Sequence, residues 1–275
     1  MIRDGVVVVK GAGDIGSGTI LRLHRAGFRV VATEIDQPTT VRRSVAFSEA
    51  VYSGEFQVEG VRARRVHPHK IRSTWEESLI PIIVDPGCAI VRTLRPAVVV
   101  DAIIAKTNLG TRLDDAPVVV GLGPGFTAGV DVHAVVETNR GHNLGRVIWH
   151  GSAQPDTGVP AEISGHGKSR VLRAPVPGLF WAKKAIGDRV QSGEVVCHVG
   201  RTPVSAQISG IIRGLLHEGL LVSEGMKIGD IDPRINRESC FTVSDKALAV
   251  AGGVLEAVLF LLNQHRANAA GGSRA

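Results

Sequence analysis

Val6-Val7-Val8-Val9-Lys10-Gly11-Ala12-Gly13-Asp14-Ile15-Gly16 is the stretch whose reading decides the fold. Four consecutive apolar residues suit a strand buried on both faces. The glycines follow at once, and Ile15, Ile20, Leu21, Leu23 and Ala26 then recur at roughly helical spacing. Gly27 ends that helix, and Phe28 to Thr33 forms the next strand. Strand, glycine turn, helix and strand in this order are expected to bind a phosphate-bearing ligand on the turn, a glycine turn kept only for packing being the alternative. Gly11 then permits the tight turn, Gly13 lets the backbone approach a pyrophosphate, and Gly16 lets the helix pack on the strand. The amides of the first helical turn, around Asp14 and Ile15, face the anion. Glu34 closes the second strand 18 residues after Gly16, where a carboxylate accepts hydrogen bonds from ribose hydroxyls. Asp14 places a negative charge near the expected phosphate, and helix capping is its other reading.

Further along, Pro81-Ile82-Ile83-Val84-Asp85 and Ala97-Val98-Val99-Val100-Asp101-Ala102 are apolar runs that contain or end in an acid. Helical stretches near 71–79 and 88–94 separate them, and such alternation predicts a parallel sheet. Ligands in such sheets gather beyond the carboxyl ends of the strands. Asp101 and Lys106 are therefore expected in one crevice with the glycine loop, beside Asp85 and Asn108. Lys106 can hold a phosphate there; a solvated loop lysine is the alternative. Val118 to Leu122 is another strand, and Gly123-Pro124-Gly125 after it reads as a second anion loop or as a plain turn. Residues 130–149 read as a β-hairpin, and the Gly-, Pro- and Ser-rich stretch 152–169 as a linker.

An internal repeat follows at an offset of 32: Ala174, Gly178, Gly187, Val190 and Gly193 recur as Ala206, Gly210, Gly219, Val222 and Gly225. Val176, Leu179, Val196 and Val199 are matched by Ile208, Ile211, Ile228 and Ile231. Two such β halves, each unable to bury its apolar face alone, close on one another. The segment Ile186 to Val196 resembles the biotinyl/lipoyl barrel-sandwich fold, whose modified lysine sits on the hairpin joining the halves. Here that hairpin, Gly200 to Val204, has no lysine, so the resemblance implies the fold without the swinging-arm chemistry. The expected architecture is α/β. A Rossmann-like parallel-sheet domain spans 1–113. A β-rich domain spans 114–242, with a barrel-sandwich hybrid at 171–234. A C-terminal helix with a frayed tail spans 243–275, capped by Ser244.

Composition narrows the function. The net charge of +6 suits an anionic ligand, but Arg outnumbers Lys 24 to 8 and is scattered, with no aromatic interleaving, so nucleic-acid binding is not expected. Cys88, Cys197 and Cys240 are odd in number and far apart, which argues against disulfides and a Cys-rich metal site. His67-Pro68-His69 has no third ligand nearby, and no metal is expected. No nucleophile elbow, Walker loop or Cys–His pairing appears, so the catalytic residues are unknown. The apolar stretch Ala247 to Leu262 is 16 residues long and carries Glu256, so it reads as a buried helix rather than a span. No signal peptide is read at the start, and the chain is expected to be cytoplasmic, without a membrane partner. Self-association is left open.

Several blocks together resemble one family: Leu21-Arg22-Leu23-His24-Arg25-Ala26-Gly27-Phe28, Arg42 to Tyr52, Asp101 to Gly110, Gly121 to Asp131, Lys227 to Arg234, and Ser244-Asp245-Lys246-Ala247 with Gly252-Gly253-Val254-Leu255-Glu256. The chain resembles the YqeB-type accessory proteins of selenium-dependent molybdenum hydroxylase systems. Its first domain is similar to the Rossmann part of XdhC-type molybdenum cofactor chaperones. The resemblance implies a maturation factor that binds molybdopterin cofactor or a nucleotide on the glycine loop and partners a molybdenum hydroxylase. An NAD(P)-dependent oxidoreductase is the alternative enzyme, with Lys106 as its acid–base group. A structural adaptor is the third reading. In the first two the ligand is small, anionic and nucleotide-like.

Overall fold

The structure is a computed structural model that describes all residues except 1–4, 157, 159–161, 163, 164 and 272–275. The chain runs β1 (Val6–Lys10), α1 (Asp14–Arg25), β2 (Arg29–Glu34), α2 (Ala50–Ser53), β3 (Glu55–Val58), β4 (Val61–Arg65), α3 (Ile71–Glu76), β5 (Ile80–Val84), α4 (Ile90–Leu94) and β6 (Val98–Asp101). It continues through β7 (Val118–Leu122), β8 (Thr127–Ala128), β9 (Ala134–Val136), β10 (Val147–Ile148) and β11 (Gly151–Ser152). The last part holds β12 (Val171–Arg173), β13 (Gly178–Ala182), β14 (Arg189–Val190), β15 (Val195–Val199), β16 (Thr202–Ser205), β17 (Gly210–Leu215), β18 (Leu221–Val222), β19 (Lys227–Asp232) and α5 (Asp245–Gly271).

β1 lies at the centre of a nine-stranded sheet, ordered β10-β9-β7-β6-β1-β2-β5-β4-β3. Its position follows from its sequence: Val7, Val8 and Val9 are fully buried, so both faces of the strand are covered. Strands from β4 across to β9 run parallel, while β3 pairs antiparallel with β4 and β10 antiparallel with β9. One face packs on α1 and α5, through Val7, Val9, Ile20, Leu23, Val250, Val254 and Val258. The other carries Val8, Val31, Ile71, Ile83, Val99 and Val119.

The expected Rossmann-like parallel sheet plus barrel-sandwich domain is corrected by this arrangement. The sheet is mixed, it carries antiparallel pairs at both edges, and it continues through β7, β9 and β10 to residue 148. Between β2 and β5 the chain inserts the hairpin β3–β4, and only a 3₁₀ turn, Leu113–Asp115, separates β6 from β7. Apolar runs of the same composition serve parallel and antiparallel strands alike, so the alternation in sequence did not reveal the mixed pairing.

Residues 171–232 form two four-stranded sheets, ordered β12-β19-β17-β14 and β16-β15-β13-β18. The repeat is visible in them: β13, β14 and β15 are followed 32 residues later by β17, β18 and β19. The halves exchange their short strands, β14 pairing with β17 and β18 with β13. Phe180, Val196, Val199, Ile212, Ile228 and Ile231 share the enclosed core, as expected of halves that cannot bury their apolar faces separately.

α5 is longer than the sequence suggested, and the Ser244 hydroxyl accepts from the Ala247 amide at 3.1 Å as its cap. Its segment Asp245–Asn268 is long and apolar enough to cross a membrane by length and composition, and half of the most apolar part is buried within the fold. Helices α1 and α5 meet where α1 carries Gly18, whose added Cβ would stand 2.9 Å from Ala247 Cβ. The expected frayed tail falls partly on residues outside the description.

Candidate functional site

At the carboxyl ends of β1, β2, β5 and β6 the chain leaves a cleft of about 530 Å³. Its floor is the loop from β1 into α1. Gly11 turns there at φ +87°, its amide donating to the Thr33 carbonyl at 2.9 Å. The Ala12 amide donates to Glu34 Oε1 at 2.7 Å, and the Ile35 amide to Glu34 Oε2 at 3.1 Å. Glu34 therefore ties the end of β2 to the loop, while its carboxylate still lines the cleft. Burial pushes this carboxyl above the ordinary carboxylate range, and the two amide bonds offset only part of that cost.

Gly16 lies behind the loop, outside the cleft lining. A Cβ there would stand 2.2 Å from the Gly11 carbonyl oxygen, so only glycine lets the helix start so close to the turn. Gly13 lines the cleft with an ordinary φ of −70°, and its added Cβ would meet Thr40 Oγ1 at 3.4 Å. Behind the loop, the Ser17 hydroxyl donates to the Ala12 carbonyl at 2.8 Å and accepts from the Phe47 amide at 2.8 Å. This pins the loop to the segment that follows β2.

The cleft brings together Gly11, Gly13, Asp14, Ile15 and Glu34 from the residues expected to bind. Asp14 does not stand as a bare charge, because Arg42 binds both its oxygens at 3.2 Å. Asp101 lies beneath the site instead of in its lining. It is 2% exposed, accepts from the Thr111 hydroxyl at 2.5 Å, and pairs with buried Lys10 at 3.2 Å. Lys106 is also outside the lining, exposed and paired with Asp156 at 2.6 Å. Gly123 faces the Thr138 side chain, and Gly125 backs onto the main chain of Lys106 and Thr107. These two form a turn packed on neighbouring loops, apart from the cleft lining.

Thr33, Ile35, Pro38, Thr39, Thr40, Asp85, Pro86, Ala102, Ile103, Ile104 and Leu109 complete the lining. Asp85 had been placed near the crevice from its position at a strand end; the others carry no motif. The signal that finds them is positional, since Ile35 follows β2 directly and Ile103 lies two residues beyond β6. Ile35, Ile103 and Leu109 are 41%, 38% and 62% exposed, which puts apolar surface at the mouth of the cleft. The Asp85 carboxylate accepts from the Ala89 and Ile90 amides at 3.0 and 2.9 Å and so holds the start of α4.

No family model matches the chain. Solved structures that align with much of it are an aspartoacylase family protein from Mesorhizobium loti, a succinylglutamatedesuccinylase/aspartoacylase from Rhodobacter sphaeroides and the ectoine utilization protein EutE (DoeB) from Ruegeria pomeroyi. The first is 10% identical with a TM-score of 0.28, covering 83% of this chain and 84% of that one. The second is 14% identical with a TM-score of 0.28, and the third 13% identical with a TM-score of 0.26; each covers 83% of this chain and 85% of its own. These neighbours are neither molybdenum cofactor maturation proteins nor Rossmann nucleotide binders. The mixed nine-stranded sheet is what corrects the expected Rossmann-plus-barrel-sandwich architecture, and nothing in these comparisons supports a molybdenum, selenium or nucleotide-binding role. In sequence, the chain is 52% identical over 260 residues to the protein named Uncharacterized protein YqeB from Escherichia coli (strain K12), covering 94% of this chain and 48% of that protein. The chain thus spans about half the length of this relative, and over that length it is a homologue of YqeB, which supports the YqeB family label for it.

Proposed function

We propose that the chain is an accessory protein that binds a small organic molecule in the cleft at the ends of β1, β2, β5 and β6. The observation that carries this reading is Glu34, a half-buried carboxylate held over the glycine loop with its charge only partly compensated and its side chain in the cleft wall. Around it the lining supplies threonine hydroxyls and apolar walls, the mixture expected of a small-molecule site. Binding is favoured over turnover because each lining carboxylate already has a structural partner: Arg42 for Asp14, backbone amides for Glu34 and for Asp85. Lys106, the acid–base group of the oxidoreductase reading, points to Asp156 on the surface.

The test is native mass spectrometry of the purified protein, compared with Glu34→Ala. The expected result is a bound small molecule released on denaturation and depleted at least tenfold in the variant. A wild-type protein that carries nothing, and whose Gly11 and Gly13 amide resonances do not move on adding a metabolite extract, overturns the reading.

A further inference from the structure

The cleft walls differ in character, and the difference speaks to the ligand's charge. Glu34 and Asp85 stand at the ends of adjacent strands, where the Asp85 amide donates to the Glu34 carbonyl at 2.9 Å. On the side reached from β6, Ile103, Ile104 and Leu109 supply hydrocarbon. Among the described lining residues there is no Lys or Arg. Two cations that adjoin lining residues are otherwise engaged: Lys10, next to Gly11, with Asp101, and Arg42 with Asp14. Asp14 also occupies the first turn of α1, where its charge offsets the positive end of the helix.

We infer that the ligand is an amphipathic organic cation, whose ammonium or amidinium group sits between Glu34 and Asp85 and whose apolar body lies along Ile103 and Leu109. This rests on the cleft being a small-molecule site and goes further by assigning the ligand's charge. A cation there supplies the compensation that burial denies to Glu34. An anion would meet three carboxylates, of which only Asp14 is paired with a cation, and no cationic side chain in the wall, which opposes the phosphate-bearing ligand that the glycine loop suggested. Opposite charges in a partly enclosed cleft attract more strongly than in bulk water, so charge is a sensitive discriminator.

The experiment uses four probes with a common phenyl group: 3-phenylpropylamine, 3-phenylpropanol, 3-phenylpropionate and phenyl phosphate. Each is titrated into the ¹⁵N-glycine-labelled 275-residue chain, following the Gly11 and Gly13 amides. The amine is expected to bind at least tenfold more tightly than the alcohol, and both anions more weakly than the alcohol. Glu34→Gln, which keeps an oxygen for the Ala12 amide but sets an NH2 group against the Ile35 amide, and Asp85→Asn should each shrink the ratio of amine to alcohol affinity toward one, the ratio within each variant being the readout. If the alcohol binds and either anion equals or exceeds the amine, the charge assignment falls and the small-molecule site stands. If none of the four moves these resonances, both fall.

Discussion

Arg42 and Asp14 meet beside the glycine loop, guanidinium to carboxylate at 3.2 Å from both oxygens, and the same guanidinium donates to the Ser239 and Thr242 carbonyls at 3.0 and 3.1 Å. One buried side chain thereby ties the start of α1 to the segment leading into α5, across 197 and 200 residues of sequence. It also neutralises the acid that had seemed misplaced in a ligand-binding turn.

Removing Arg42 should therefore cost more than removing its partner. Arg42→Ala leaves Asp14 without its cation and two carbonyls without a donor, and should lose about 3 kcal/mol; Asp14→Asn should lose about 1 kcal/mol. The double variant should lose less than the sum, because the pair is removed together. Urea unfolding of the four proteins measures this, and strict additivity would show that the contact contributes nothing as a pair.

Gly13 and Gly16 should separate cleanly on substitution to alanine. At Gly16 the new Cβ is driven into the Gly11 carbonyl oxygen, so Gly16→Ala should cost about 2–3 kcal/mol by overpacking. Gly13→Ala meets only Thr40 Oγ1 at ordinary contact distance and should stay within about 1 kcal/mol of wild type. Equal losses at the two positions in urea unfolding would contradict this geometry.

The adjacent glycines of α5 should move stability in opposite directions. Nothing lies within 4 Å of a Cβ added at Gly252, so Gly252→Ala should gain about 1 kcal/mol from helix propensity. At Gly253 the added Cβ would be 2.1 Å from the Gly145 carbonyl oxygen, so Gly253→Ala should lose about 2 kcal/mol or more. Thermal unfolding of both variants decides the matter; a gain at Gly253 would mean that α5 does not pack on Gly145.

The three cysteines should be inert in the folded protein. They are 6%, 0% and 0% exposed for Cys88, Cys197 and Cys240. Burial pushes the Cys88 thiol up to about 11 and the Cys197 thiol to about 12, and it raises Cys240 as well, so all three stay protonated at pH 8. A thiol reagent at pH 8 should label none rapidly in native protein and all three in guanidinium chloride. Rapid native labelling of Cys240, the thiol that precedes α5, would show that it is accessible and reactive and would contradict this.

Residues 6–34 alone determine the β1–α1–β2 unit, because four consecutive valines, a glycine turn, an apolar helical spacing and a second apolar run leave little else for the backbone to form. The 32-residue repeat likewise determines matching strands in its two halves, since its glycines and aliphatic residues recur in register. Tertiary structure decided what these units join. The mixed pairing of the nine-stranded sheet and the exchange of β14 with β18 depend on which apolar faces cover one another, and periodicity carries no such label. The site divides in the same way. Gly11, Gly13, Asp14, Ile15 and Glu34 come from one contiguous unit and were legible; Ile103, Ile104 and Leu109 reach the cleft only because β6 runs parallel beside β1. Lys106, a few residues beyond the same strand end, turns to Asp156 instead, and no spacing in the sequence records the direction a loop takes after its strand ends.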